Sequence, residues 1–129
     1  MPYRRLTSAL IASAGIAGAV ALSAPAHAAD FSVGTVTYCS KGSVVTLTAT
    51  PGSGRIAVTL DVNGSGSGNY WTLGMVDNFT GVYGGTKRAD ANGDVRVSAE
   101  TADQAGTDNF GASAFNWRTG EVCAATLPV

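Results

Sequence analysis

The stretch RIAVTLDV, residues 55–62, sets Ile56, Val58, Leu60 and Val62 on one parity and Ala57, Thr59 and Asp61 on the other. A period of two suits a strand with one buried and one outward face; a helix would scatter the same apolar residues around its circumference. The pattern recurs along the chain. Val45, Leu47 and Ala49 share a parity in SVVTLTAT, Trp71, Leu73 and Met75 in NYWTLGMV, and Val95, Val97 and Ala99 in DVRVSAE. FGASAFNW, EVCAATL and the run from Phe31 to Cys39 extend the series. PGSG, residues 51–54, separates two of these runs as a hairpin turn does. No window holds an i, i+3, i+4, i+7 stripe, and Gly or Pro interrupts nearly every candidate helix. About seven or eight short strands in roughly 100 residues predict an all-β fold, an antiparallel immunoglobulin-like β-sandwich. VYGGTKR, residues 82–88, reads as a loop with a small solvated cationic pair, and NGSGSGN, residues 63–69, as a flexible connection.

The first 28 residues stand apart from this pattern. Arg4 and Arg5 precede an apolar run of small and aliphatic residues, Leu6 to Leu22, and AHA at 26–28 is a small-x-small cleavage site. That order is the layout of a secretory signal peptide, so residues 1–28 are expected to be removed and residues 29–129 to form one domain. Without Arg4 and Arg5, six of the eight cationic side chains remain against all nine anionic ones, and the net charge moves from −1 to −3. Such a balance argues against nucleic acid or an anionic membrane as partner.

Cys39 and Cys123 are the two cysteines. In an exported chain an even count favours a disulfide, and this one would close almost the whole domain and tie its terminal strands. The alternative is a reactive thiol or thiolate pair, but no other soft ligand accompanies them.

RADANGDVRV, residues 88–97, places Asp90, Asn92 and Asp94 at alternate positions, as calcium loops do. The pattern then fails: Val95 stands where an EF-hand requires glycine and Thr101 where it requires glutamate. The residues read better as a turn, with Asn92-Gly93 supplying positive φ and Asp94 leading into a strand. No metal or cofactor is expected. The only histidine, His27, lies in the leader, so a Ser-His-Asp or Cys-His device is impossible in the remaining chain, and a domain this small has little room for a cleft with a buried acid. No enzymatic activity is expected. The Asn78 sequon in NFT would be read only in a eukaryotic secretory route.

ADANGDVRVSAE, followed by QAGTDNFGASAFN, resembles the turn and next strand of bacterial immunoglobulin-like domains. It is similar in turn, size and expected fold to the small actinobacterial chromophore-carrying apoproteins of the neocarzinostatin type. The resemblance covers about a dozen residues and implies, as one function, a carrier of a small apolar ligand in a cleft of the sandwich.

The residues themselves favour a small secreted binding or interaction module, acting as a monomer on an extracellular protein or glycan. Trp71 shares its parity with Leu73 and Met75 and is assigned to the core. Trp117 precedes Arg118-Thr119-Gly120, which reads as a turn, so it sits where loops gather. Trp117, Arg118 and Tyr70 are the candidate binding residues, because exposed aromatic rings can stack on sugars or anchor a protein interface. Inhibition of a secreted hydrolase is a further alternative.

Overall fold

The computed structural model describes residues 31–64 and 66–129; the expected leader, 1–28, lies outside them. Eight strands follow one another: β1 (Val33–Tyr38), β2 (Val44–Gly52), β3 (Arg55–Asn63), β4 (Tyr70–Asp77), β5 (Thr80–Arg88), β6 (Asp94–Ala102), β7 (Asn109–Asn116) and β8 (Val122–Pro128). They form two four-stranded antiparallel sheets, ordered β1-β2-β3-β6 and β5-β4-β7-β8. Two neighbour pairs, β3–β6 and β4–β7, are not consecutive in sequence, because the chain changes sheet after β3, β5 and β6. These crossovers give the Greek-key connectivity of an immunoglobulin-like sandwich.

The alternating residues form the interior. Leu47, Ile56, Leu60 and Val62 from one sheet meet Trp71, Leu73, Met75 and Phe110 from the other, all essentially without solvent contact. The sandwich closes along both sides: β8 packs toward β1 and β2, and β5 toward β6. Cys39, just beyond β1, and Cys123 in β8 form a disulfide with Cα atoms 4.4 Å apart, so the bridge joins the two sheets at one edge. In antibody domains the bridge instead joins interior strands.

Two turns are tight and left-handed. Ser53 and Gly54 (φ 56° and 76°) link β2 to β3 across the Gly52–Arg55 pair. Asn78 and Phe79 (φ 49° and 70°) link β4 to β5 across Asp77–Thr80. Positive φ at both central positions is the hairpin turn that matches strand twist. Asn tolerates it; for Phe it is unusual and costs on the order of 1–2 kcal/mol.

The segment expected to be a loop, residues 82–88, is instead most of β5. Its local sequence is poor in strand formers, but β4 supplies a full ladder of partners for it. A bulge opposite Met75 and Val76 absorbs one extra residue. Gly85 lets the Tyr83 ring fold back beside the strand: a Cβ there would lie 2.8 Å from the Tyr83 hydroxyl. Tyr83 thereby packs against the core.

Candidate functional site

The two outward faces of the sandwich differ in chemistry. On the β1-β2-β3-β6 sheet, Arg55 pairs with Glu100 and Arg96 with Asp61, each at 3.1 Å. These are solvated surface pairs worth little to stability. The other sheet pairs Tyr70 with Arg88, Thr72 with Thr86 and Phe115, Gly74 with Gly84 and Ser113, and Ser113 with Ala124 on its outward side. Among the outward residues of its four strands, Arg88 is the one charged side chain, and it stands at a corner.

Tyr70 begins β4, and Trp117 follows the last residue of β7. Their rings are exposed, 49% and 59%, with centroids 6.0 Å apart and planes tilted by 38°. The arrangement is fixed from several sides. The Trp117 amide donates to the Tyr70 carbonyl at 3.0 Å. The Trp117 indole Nε1 donates to Thr72 Oγ1 at 2.7 Å. The Arg88 guanidinium lies 5.9 Å from the centre of the Tyr70 ring, a cation–π distance, while its Nε donates to the Gly68 carbonyl at 3.1 Å. The glycine-rich connection thus contributes directly: a Cβ on Gly68 would crowd that guanidinium.

Arg118 lies in the turn that follows. Asn116 Oδ1 accepts from the amides of Arg118 (2.8 Å) and Thr119 (3.1 Å), and Gly120 closes the turn with φ 76°. The cation over the Tyr70 ring is Arg88. Its place depends on the Tyr70–Arg88 register, which no local pattern in the sequence reveals. Trp71 is fully buried on the opposite side of β4.

Beyond the rings the sheet surface is made of small residues. Two adjoining hollows, about 270 and 390 Å³, share Val76, Gly111 and Thr126 as walls. The larger one ends at Phe79, whose side chain is 98% exposed on its left-handed turn.

The calcium-like stretch is a backbone turn. Asp90 Oδ1 accepts from the amides of Asn92 (2.8 Å) and Asp94 (3.0 Å). Only Gly93 of the Asn92-Gly93 pair takes positive φ, because Ala91 and Asn92 are the central residues of a turn closed by the Gly93 amide on the Asp90 carbonyl (3.0 Å), and Gly93 follows it. Among the described residues, no group of three acidic, cysteine or histidine side chains is placed to hold a metal ion.

Two groups of carboxylates were not singled out by the sequence. Glu121 is buried. Its Oε2 accepts from the amides of Lys41 (2.9 Å) and Ser43 (2.8 Å), and its Oε1 from the Ser43 hydroxyl (2.5 Å). Burial opposes its charge, but these hydrogen bonds and the Lys41 charge prevail and hold its pKa below the usual value.

At the opposite end of the sandwich, Asp77 and Asp108 are buried near Asp103. Burial, and next the neighbouring Asp77 carboxyl, raise the Asp108 pKa; the neighbouring Asp108 carboxyl raises that of Asp103. A raised folded-state pKa gives a contribution that is full below the unfolded value and is lost as pH rises through the folded one. Asp108→Asn is therefore expected to raise the melting temperature at pH 7, with the gain shrinking as pH approaches 4. The Asn78 Nδ2 bond to Asp108 Oδ1, 3.4 Å long, can be kept by the new amide oxygen. Melting curves of both proteins across that range check the sign; a variant less stable at pH 7 than the wild type refutes it.

Comparison with family models, curated proteins and solved structures finds no match to this chain. The functional reading therefore rests on the site.

Proposed function

We propose that this chain is an exported, non-enzymatic binding module that captures an extracellular partner through Tyr70 and Trp117. One observation carries the reading: two large exposed rings lie side by side, held by the Thr72 hydroxyl and accompanied by the Arg88 cation. Rings fixed before binding lose little freedom when a partner docks, so their contact area converts efficiently into affinity. Export is supported by the leader-like order of residues 1–28 and by compatibility of the Cys39–Cys123 bridge with an oxidising compartment.

The test pairs capture with stability. Residues 29–129 would be immobilised and exposed to culture-supernatant proteins and cell-wall polymers. Trp117→Ala and Tyr70→Ala are each expected to weaken capture about tenfold or more, as interface anchors do, while changing unfolding free energy by only about 1 kcal/mol. Capture unaffected by the double substitution would overturn the proposal. Unfolding of Trp117→Ala by about 3–5 kcal/mol would assign the ring to the core instead.

A further inference from the structure

We propose that the outward face of the β5-β4-β7-β8 sheet is one continuous groove for an uncharged linear polysaccharide. It would run from the Tyr70–Trp117 rings to Phe79. This deepens the proposed function, since it names the partner class of the same aromatic site.

The floor of the groove follows β7. Asn109, Gly111, Ser113 and Phe115 point outward at every second position, and Trp117 continues the line. At about 3.4 Å per residue this row is roughly 27 Å long. β4 and β8 flank this row in the same sheet, about 10 Å apart across the intervening strand. The flanking residues Gly74, Ala124 and Thr126 are small, and the two hollows lie along the row between them and Phe79. Exposed aromatic rings stand at the two ends, Trp117 with Tyr70 at one and Phe79 at the other.

Three features choose the occupant. The first is charge. Among the described residues, no carboxylate side chain lies on the outward face of these four strands, and the single cation there, Arg88, stands at the corner beside Tyr70. The opposite sheet has acidic and basic side chains on its outward face. An anionic polymer would find little to pair with along most of the groove, whereas a neutral one leaves no charge uncompensated.

The second is wetness. The groove is open to solvent along its length, and hydroxyls of Thr72, Thr86, Ser113 and Thr126 alternate with apolar patches. A purely apolar ligand would remain half in water there. A sugar chain has apolar ring faces to lay on Phe115, Trp117 and Ala124, and polar edges for the hydroxyls and the water above.

The third is length. A single small molecule would fill one hollow and leave the distant ring pair unused. Only an extended ligand touches both ends. Phe79 adopts a strained left-handed backbone and keeps its ring fully outside the protein, and an extended ligand gives that ring a purpose.

The test uses the chain from residue 29 onward and three uncharged soluble glycans: a β-1,4-glucan, a β-1,3-glucan and an α-1,4-glucan. A polyuronate of similar length serves as the charged control. Ser113→Phe and, independently, Ala124→Tyr block the groove midway at exposed positions and leave the aromatic pair in place. Thr59→Phe on the opposite sheet controls for an added ring. Melting temperature establishes that each variant folds.

At least one neutral glycan is expected to bind, with little binding of the polyuronate. Either groove-filling variant, and Trp117→Ala, should weaken it tenfold or more, and Phe79→Ala severalfold for long chains but not for disaccharides. Thr59→Phe should have no effect. Neutral-glycan binding indifferent to both groove fillers overturns the groove. Equal binding of the polyuronate overturns the neutral specificity. If no glycan binds but a protein partner is lost on Trp117→Ala, this inference fails while the binding-module reading stands. A self-associated dimer dispersed by Ser113→Phe would likewise assign the face to a second copy and overturn it.

Discussion

Glu121→Ala is expected to destabilise the domain by about 3–5 kcal/mol, the range for removing one partner from a buried, hydrogen-bonded charge site. The carboxylate is 1% exposed and serves three donors: the amides of Lys41 and Ser43 and the Ser43 hydroxyl. Those donors belong to the turn between β1 and β2, about 80 residues away in sequence. Alanine leaves all three without an acceptor in a place water does not reach. A domain of this size has a total stability of about 5–15 kcal/mol, so the melting temperature should fall by something on the order of 15–30 °C. Glu121→Gln keeps one acceptor oxygen and should lose less. Ser43→Ala, which removes one of the three donors to the buried carboxylate, should cost about 1.5–3 kcal/mol. The pH dependence has a definite sign. The Glu121 pKa is depressed in the fold, so its contribution is full above the unfolded value and is lost as pH falls through the folded one. The gap between wild type and Glu121→Gln should therefore narrow in acid. Chemical denaturation at pH 7 and pH 3 measures both effects. A Glu121→Ala protein within 1 kcal/mol of wild type would show that the turn is held without the carboxylate.

Glu121 also shows where reading the sequence stops. Alternation identified the inward sets Val45-Leu47-Ala49, Ile56-Val58-Leu60-Val62 and Trp71-Leu73-Met75, because burying one face of a strand is a local requirement. The structure likewise buries Phe110, Ala112 and Ala114 and exposes Phe115 and Trp117, which lie on the opposite parity. Glu121 has no such signature. It follows a turn glycine and looks like any other surface anion until β8 is placed against the β1–β2 turn. Arg88 escaped for the same reason: its meeting with Tyr70 is a matter of register between β4 and β5. The strand β5 itself was obscured by Gly84 and Gly85. Both weaken local propensity, but Gly85 is what the Tyr83 ring requires, while Gly84 faces open space. The groove was half legible. Gly74, Gly111, Ser113 and Ala124 fall on the outward parity of their strands, yet only the strand order β5-β4-β7-β8 makes them neighbours.

The Cys39–Cys123 bridge is expected to contribute about 4–5 kcal/mol, from the loop entropy of its 84-residue separation. The Cys39→Ala/Cys123→Ala protein should accordingly unfold at a clearly lower guanidinium concentration while keeping its sheet signal before the transition. The fold should survive because the same turn has two other ties. Ser40 and Val122 exchange two hydrogen bonds, amide to carbonyl and amide to hydroxyl, both at 3.0 Å, and Glu121 holds Lys41 and Ser43. These ties are not independent of the bridge. With the disulfide in place, the turn cannot leave β8, and removing Glu121 strands its donors in the interior. Without the disulfide, the turn can peel outward and let water satisfy them. Glu121→Ala should therefore cost at least 1 kcal/mol less in the bridge-free protein than in the bridged one, a coupling that a double-mutant cycle reads directly. Strict additivity of the two changes would mean that the turn stays docked without its covalent tie. In that case the bridge acts only on the unfolded chain, and the edge between β1 and β8 is held by packing and hydrogen bonds alone.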